Sequence, residues 1–216
     1  MNVSGYVPSQ AVTALGQSLK YLEMGEWMRR RGLKPGHSFA HRNELFDLAA
    51  KEIGDLQVLY LEFGVFKGEA TRYWSRLLRN PNSKLHGFDS FEGLPEDWRE
   101  DCGKGHFSTN GSIPQIDDNR VKFFKGWFEE TLPIYQIPDH EAVFINLDAD
   151  LYSSTIYVLK ALRELIEPGT YIYLDEFSDL NHEYRAFDEF LRETRMTFSL
   201  AGEADSMQHV LFQRTA

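Results

Sequence analysis

"QVLYLEFGVFKGEA", Gln57 to Ala70, is an apolar run that ends in a glycine-containing turn and opens into a helix-like segment. The apolar stretch is continuous rather than alternating, which is how a strand covered on both faces of a sheet reads. Glu62, Gly64 and Gly68 follow as E-x-G-x-x-x-G. Glycines at such a turn let the backbone pass close to a ligand at the head of a helix, the device shared by doubly wound nucleotide-binding folds. A glycine between strand and helix is often only a turn, so the weight of this pattern depends on its surroundings.

Beyond this stretch, "KLHGFD", "VKFFKG", "AVFINLD" and "TYIYLDEF" are further short apolar runs, most of them separated by segments long enough for a helix. Strands alternating with helices imply a parallel sheet sandwiched between them. The expected helices are Glu69 to Leu78, a short one near Phe128 to Tyr135, Tyr152 to Ile166 and His182 to Thr194. "TFSLAG" and "QHVLFQ" near the end are joined by a short turn and read as a hairpin, so one strand runs antiparallel. Upstream, Ala11 to Arg31 shows loose helical spacing ended by Gly32 and Pro35. Leu45, Leu48, Ala49 and Ile53 mark a second helix, with Ser38 as its cap and Gly54 as its stop. The expectation is an α/β fold: a doubly wound, mostly parallel seven-stranded sheet with an antiparallel C-terminal hairpin and N-terminal helices. Residues 1–55 form a helical extension packed on a main domain, 56–216.

The chain has 216 residues, 42% of them hydrophobic and 14% aromatic, enough for one substantial core. Its formal net charge is −10, and "RRRG" at 29–32 is its only basic cluster, so a surface that tracks nucleic-acid phosphates is not expected. Cys102 is the single cysteine, which rules out an internal disulfide framework. "MNVSGYVPSQAV" lacks the basic and apolar regions of a signal peptide, and no run approaches the roughly 18 apolar residues of a membrane span. The expected location is the cytoplasm, with no membrane association.

The second strand ends in "GFDSFEG", placing Asp89 about twenty positions beyond Gly68, where an acid accepts hydrogen bonds from a ribose diol. Glu62 bears on the choice of nucleotide. A carboxylate beside the first turn would repel a dinucleotide's pyrophosphate, whereas S-adenosylmethionine offers an amino group, a sulfonium and no phosphate. Local pairing of Glu62 with Lys67 or an arginine would account for it equally. At the far end of the sheet, Asp148 and Asp150 in "FINLDADLYSST" and Asp175 and Glu176 in "TYIYLDEF" stand at strand ends that share one crevice. Four acids at one rim repel one another unless a cation, protons or a substrate compensates, and all-oxygen ligation suits magnesium. A simpler role for some of them is to cap the following helices.

"LEFGVFKGEATRYWS", "HGFDSFEGLPEDW", "GWFEETLP", "INLDADLYSST", "EPGTYIYLDEF" and "HEYRAFDEF" closely resemble the macrocin O-methyltransferase (TylF-type) family of class I S-adenosylmethionine-dependent methyltransferases. The resemblance runs from about Leu59 to Phe190 with the motifs in order. It implies the Rossmann-like class I methyltransferase fold, an O-methyltransferase activity on a hydroxyl of a sugar or glycosylated small molecule, and dependence on magnesium. By this resemblance Glu62, Gly64 and Gly68, with Val65 and Phe66 between them, form the donor loop. Asp89 holds the ribose, and Asp148 belongs to both the donor site and the metal. Asp148, Asp175 and Glu176 ligate Mg²⁺, and Asp150 is the base. Glu176 departs from the pair of aspartates in characterised members, and its extra methylene shifts the ligand. The N-terminal residues and the tail lie outside the strongest matches; they are assigned to substrate selection or to contacts of a homo-oligomer.

The implied reaction is in-line attack of a substrate hydroxyl on the donor's methyl carbon. A carboxylate near pKa 4 is a weak base for a free alcohol, so Asp150 needs a metal's help or a raised pKa; His106 or His182 is the base otherwise. Ser90 to Ser112 is long and polar, with Ser90 and Phe91 expected to cover the adenine and the remainder to form a substrate lid. Trp127 borders the donor site or lies in the core. Asp148-Ala149-Asp150 is also the D-x-D of metal-dependent glycosyltransferases, a reading that leaves the glycine loop and Asp89 unexplained. Parts of the pattern also fit a phosphoaspartyl hydrolase, a nicotinamide dehydrogenase or a non-catalytic S-adenosylmethionine-binding domain.

Overall fold

A computed structural model describes residues 9–34 and 36–216. The first eight residues, read above as lacking a leader, and Pro35, read as a helix stop, lie outside the described residues. The chain divides into two compact units, one up to residue 35 and one from Gly36 to Ala216. In the first unit, α1 (Ser9–Arg30) carries a Glu26–Arg29 ion pair at 2.8 Å on adjacent turns. It ends where Gly32 adopts a left-handed φ of 67° and the Leu33 amide bonds back to the Met28 carbonyl at 3.0 Å.

The second unit is built on one eight-stranded sheet. In chain order its elements are β1 (His37–Phe39), α2 (Arg42–Ile53), β2 (Val58–Phe63), α3 (Glu69–Leu77), β3 (Lys84–Asp89), β4 (Val121–Lys125) and α4 (Phe128–Thr131). There follow β5 (Ala142–Leu147), α5 (Tyr152–Ala161), β6 (Tyr171–Leu174), α6 (Glu183–Thr194), β7 (Phe198–Ala204) and β8 (His209–Arg214). Across the sheet the order is β1-β7-β8-β6-β5-β2-β3-β4. Only β8 runs antiparallel to its neighbours β6 and β7. The chain leaves β2 toward β3 and β4, then crosses back to lay β5 on the other side of β2. The reversal puts the topological switch point between β2 and β5, where the carboxyl ends of strands in open α/β sheets open a ligand crevice.

Every residue of β2 is buried, Glu62 included, as a run apolar on both sides of that one acid requires. On one face Tyr60, Phe144 and Tyr173 pack with Phe46 of α2 and Trp74 of α3; Phe46 and Tyr173 have ring centroids 4.9 Å apart. On the other face Phe63 stacks on Phe88 at 5.0 Å, and Phe187 of α6 stacks on Phe212 at 4.7 Å.

Two features differ from the sequence expectation. The sheet has eight strands, not seven: His37–Phe39 pairs parallel with Gly202–Ala204 at the edge. This three-residue strand is largely exposed, so no apolar run marks it. Ser38 therefore belongs to a strand and does not cap α2. The helix begins after His41, where the Glu44 carboxylate returns to accept the Ala40 and His41 amides, each at 3.0 Å. Helix α5 stops at Ala161, and the segment to Ile166 tightens into turns, with the Leu165 amide 2.8 Å from the Leu162 carbonyl.

Candidate active site

A cavity of about 730 Å³ opens at the carboxyl ends of β2, β3, β5 and β6. One wall begins at the turn after β2. Gly64 has φ 92°, and a Cβ there would collide with the Asp148 carbonyl oxygen, so the β2 and β5 ends approach as closely as they do only because no side chain intervenes. Gly68, at φ 73°, is the residue before α3. Between them, Val65 and Phe66 each donate an amide to Asp89 Oδ2 at 2.8 Å, and Phe91 donates to Asp89 Oδ1 at 2.6 Å. Asp89 thus gathers the glycine turn and the start of its own loop around one carboxylate. Ser90, beside it, also lines the cavity.

Glu62 is 2% exposed, beneath this turn. It pairs with neither Lys67 nor an arginine through a direct hydrogen bond; its Oε2 accepts the hydroxyls of Tyr60, at 2.9 Å, and Thr71. Asn146 of β5 donates in turn to the Tyr60 hydroxyl at 3.0 Å. Burial pushes the Glu62 carboxyl up to about 7 against the pull of its two hydrogen bonds. A carboxyl held at this edge of ionisation under the cavity is ready to take a cationic group.

Next to this turn, beyond β5 and β6, the structure brings Asp148, Asp150, Asp175 and Glu176 to the cavity lining, as the strand ends imply. The partners of three of them were not legible. Arg42, at the head of α2, reaches across to place Nη1 3.1 Å from Asp175 Oδ1 and 3.5 Å from Asp148 Oδ2. His209 Nδ1 stands 3.2 Å from the same Asp175 oxygen, which also accepts the Tyr173 hydroxyl. Glu176 accepts the Gln208 side-chain amide at 2.6 Å. Burial and the neighbouring Asp175 and Asp150 charges raise Asp148, while His209 and Arg42 hold Asp175 below the usual range against the effect of burial.

This arrangement bears on the magnesium set Asp148, Asp175 and Glu176. Among the described residues, no group of three or more His, Cys, Asp or Glu side chains is disposed to hold a metal ion. The Arg42 guanidinium lies within reach of both aspartates, His209 contacts Asp175, and Glu176 is engaged by an amide. The donor set therefore does not fit the ion.

Asp150 stands apart from that network. It is buried, and burial followed by the charges of Glu176 and Asp175 pushes its carboxyl up to about 7. Its backbone has φ 57°, in the left-handed region that non-glycine residues rarely visit. Beside it, the long segment after β3 lines the cavity. Leu94, Trp98 and Cys102 pack on Leu151, the Ser153 hydroxyl donates to Glu96 at 2.5 Å, and Phe107 meets Phe66 edge-on at 5.7 Å. Trp127 lines the cavity rather than the core. Arg42 and His209 gave no signal in the sequence because one lies beyond the edge of an apolar helix pattern and the other begins a hairpin strand.

The sequence model of the macrocin-O-methyltransferase (TylF) family matches residues 49–212. Over 161 residues the chain is 28% identical to the 8-demethyl-8-(2,3-dimethoxy-alpha-L-rhamnosyl)-tetracenomycin-C 4'-O-methyltransferase of Streptomyces olivaceus, covering 61% of this chain and 58% of that protein. It is 29% identical to the demethyldecarbamoylnovobiocin O-methyltransferase of Streptomyces niveus, covering 75% of this chain and 66% of that one. The chain therefore spans less than two thirds of the length of either curated relative. In three dimensions it resembles the O-methyltransferase NovP with a TM-score of 0.58 at 22% identity over 80% of each chain, a likeness of fold.

Proposed function

The chain belongs to the macrocin O-methyltransferase (TylF) family, and from that premise we propose that it transfers the methyl group of S-adenosylmethionine to a hydroxyl of a sugar or glycosylated small molecule. The observation that carries this reading is the presence, in the lining of one cavity, of a buried carboxyl under the glycine turn, Glu62, and a second buried carboxyl of raised pKa just beyond the end of the neighbouring strand, Asp150. Glu62 takes the donor's ammonium group. Asp89 takes a ribose hydroxyl on the Oδ1 lone pair that its three amides leave free. Gly64 and Gly68 keep the turn open to the donor, Val65 and Phe66 line it, Ser90 and Phe91 lie against the adenine, and Asp148 closes the methionine end.

The acceptor hydroxyl oxygen attacks the methyl carbon in line with the sulfur. The carbon–sulfur bond breaks with its electron pair passing to sulfur, which leaves neutral S-adenosylhomocysteine, and the hydroxyl proton passes to Asp150. A carboxyl titrating near 7 is a stronger base than an ordinary aspartate. The protein's larger contribution is alignment inside the cavity, for which effective molarities of roughly 10⁵ to 10⁸ M set the scale. Magnesium has no step in this reaction, because the Arg42 guanidinium already stands between Asp148 and Asp175. The relatives' names, which specify an oxygen of a rhamnosyl unit in one case, support a glycoside as the acceptor class.

Two measurements test this reading. Calorimetry should show S-adenosylhomocysteine binding that Glu62→Ala and Asp89→Ala each weaken at least tenfold. Radiolabelled S-adenosylmethionine incubated with a panel of rhamnosides and other deoxyglycosides should yield labelled glycoside. Binding of UDP-glucose in place of S-adenosylhomocysteine would overturn the proposal.

A further inference from the structure

We propose that His182 and Glu183, two consecutive residues at the head of α6, form a clamp that fixes the turn carrying Asp150 and so act as positioning residues for proton transfer to it. The proposal rests on the methyl-transfer reading only in giving Asp150 the proton.

The turn is one that a chain does not hold unaided. Asp150 is a non-glycine residue at φ 57°, and the Leu151 amide bonds to the Ala149 carbonyl at 2.5 Å, closing a three-residue loop with Asp150 at its apex. Such turns are rare and strained, and they persist where neighbouring groups over-determine them. The neighbours here are specific. Glu183 Oε1 accepts the Ala149 amide, just before Asp150, at 3.3 Å. His182 Nδ1 accepts the Tyr152 amide, just beyond the turn, at 3.2 Å. One dipeptide therefore holds an amide on each side of the apex.

The clamp reaches further than this turn. The second oxygen of Glu183 accepts the Glu176 amide at 2.9 Å, which ties the loop after β6 to the loop after β5 through one side chain. Glu183 is fully buried and sits in the first turn of its helix, where burial pushes its carboxyl well up against the pull of the Glu176 amide. Trp98 of the long segment after β3 lies edge-on to His182 at 6.3 Å, so the clamp also touches that segment. With Nδ1 accepting an amide hydrogen, the proton of a neutral His182 ring resides on Nε2. His182, a candidate base on sequence grounds, is assigned instead to holding Asp150.

The test compares wild type with His182→Ala, His182→Asn and Glu183→Gln in the full-length chain. The first readout is amide hydrogen exchange at Ala149, Tyr152 and Glu176. It should speed up at least tenfold at Tyr152 in His182→Ala and, in Glu183→Gln, at whichever of the Ala149 and Glu176 amides meets the glutamine NH2 instead of its one acceptor oxygen, and return toward wild type in His182→Asn, whose Oδ1 can accept in place of Nδ1. The second is methyl transfer, where kcat should fall at least tenfold in His182→Ala with KM and the S-adenosylhomocysteine Kd each within threefold, and recover in His182→Asn. Unchanged exchange in the folded variants overturns the clamp. So does loss of turnover that merely tracks lost donor affinity, or an asparagine no better than alanine. If Glu183→Gln does not fold, the two His182 variants decide the matter. Exchange is read without turnover, so a wild-type chain that binds S-adenosylhomocysteine but methylates no glycoside would count against the methyl-transfer reading and not against the clamp.

Discussion

Arg42 and Asp175 are 133 positions apart in the chain, and the guanidinium Nη1 of one lies 3.1 Å from the carboxylate Oδ1 of the other. The contact joins the head of α2 to the end of β6, and it brings a permanent positive charge into a rim that otherwise collects acids. Burial disfavours that charge, but Asp175 and Asp148 raise the arginine's pKa still further, so it titrates in no accessible range.

The first prediction follows from this charge. EDTA treatment will leave methyl transfer within about twofold of untreated enzyme, because the compensation for Asp148 and Asp175 is covalently part of the chain. A tenfold loss that magnesium restores would show that an ion enters the cluster. Arg42→Ala should destabilise the protein by about 2 kcal/mol. This is less than the roughly 3–5 kcal/mol of a fully buried pair, because the arginine side chain is 30% exposed. Urea unfolding at low and high salt will measure it.

Asp150, raised to about 7 chiefly by burial, must be ionised to accept a proton. The kcat profile should therefore rise with pH through about 7, reaching about a tenth of its plateau one unit below that point, as for a single ionisation. Asp150→Asn should lower kcat by roughly 10² to 10⁴ and leave donor binding intact. A flat profile between pH 5.5 and 8 would remove Asp150 from the role of base.

Glu62 makes a prediction of opposite kind, on stability. Its folded pKa, about 7, lies above the ordinary glutamate value of 4.5, so the fold favours the neutral form. That contribution is fully present below pH 4.5 and is lost as pH rises through about 7. At about 1.4 kcal/mol per unit, the loss is on the order of 3 kcal/mol. Glu62→Gln should thus gain stability relative to wild type between pH 5 and 8, measured by urea unfolding at both values. The donor's ammonium reverses the preference, so binding of S-adenosylhomocysteine near pH 6.5 should release a proton, seen as a calorimetric enthalpy that depends on the buffer's ionisation heat.

Gly64 combines a φ of 92° with a Cβ direction that runs straight into the Asp148 carbonyl. Gly64→Ala must separate the ends of β2 and β5. We expect a loss of roughly 3 kcal/mol or more, which for a chain of this size lowers Tm by roughly 6–12 °C, together with loss of donor binding. A variant that keeps both would mean that the turn relaxes at little cost.

The order of residues along the chain was enough to establish the sheet's interior and the identity of the carboxylates. The apolar runs at Val58–Phe63, Ala142–Leu147 and Tyr171–Leu174, interrupted only by Glu62 and Asn146, could be satisfied only with cover on both faces, and the acids that follow them had to emerge together at one end. Periodicity and strand-end position are local properties, so they are written in consecutive residues. What the acids face is not local. Folding in three dimensions settled that Asp175 meets Arg42 and His209, that Glu62 meets Tyr60 and Thr71, and that the Asp150 turn is gripped from α6. Most of these partners come from elements whose own patterns register burial and helix ends but not direction across the sheet. The short strand His37–Phe39 was hidden for a related reason: its pairing with β7 supplies backbone hydrogen bonds at an exposed edge, where no side-chain pattern is required. A carboxylate's ionisation depends on the charge and solvent within a few ångströms, and the fold brought those neighbours from as far as 133 residues away.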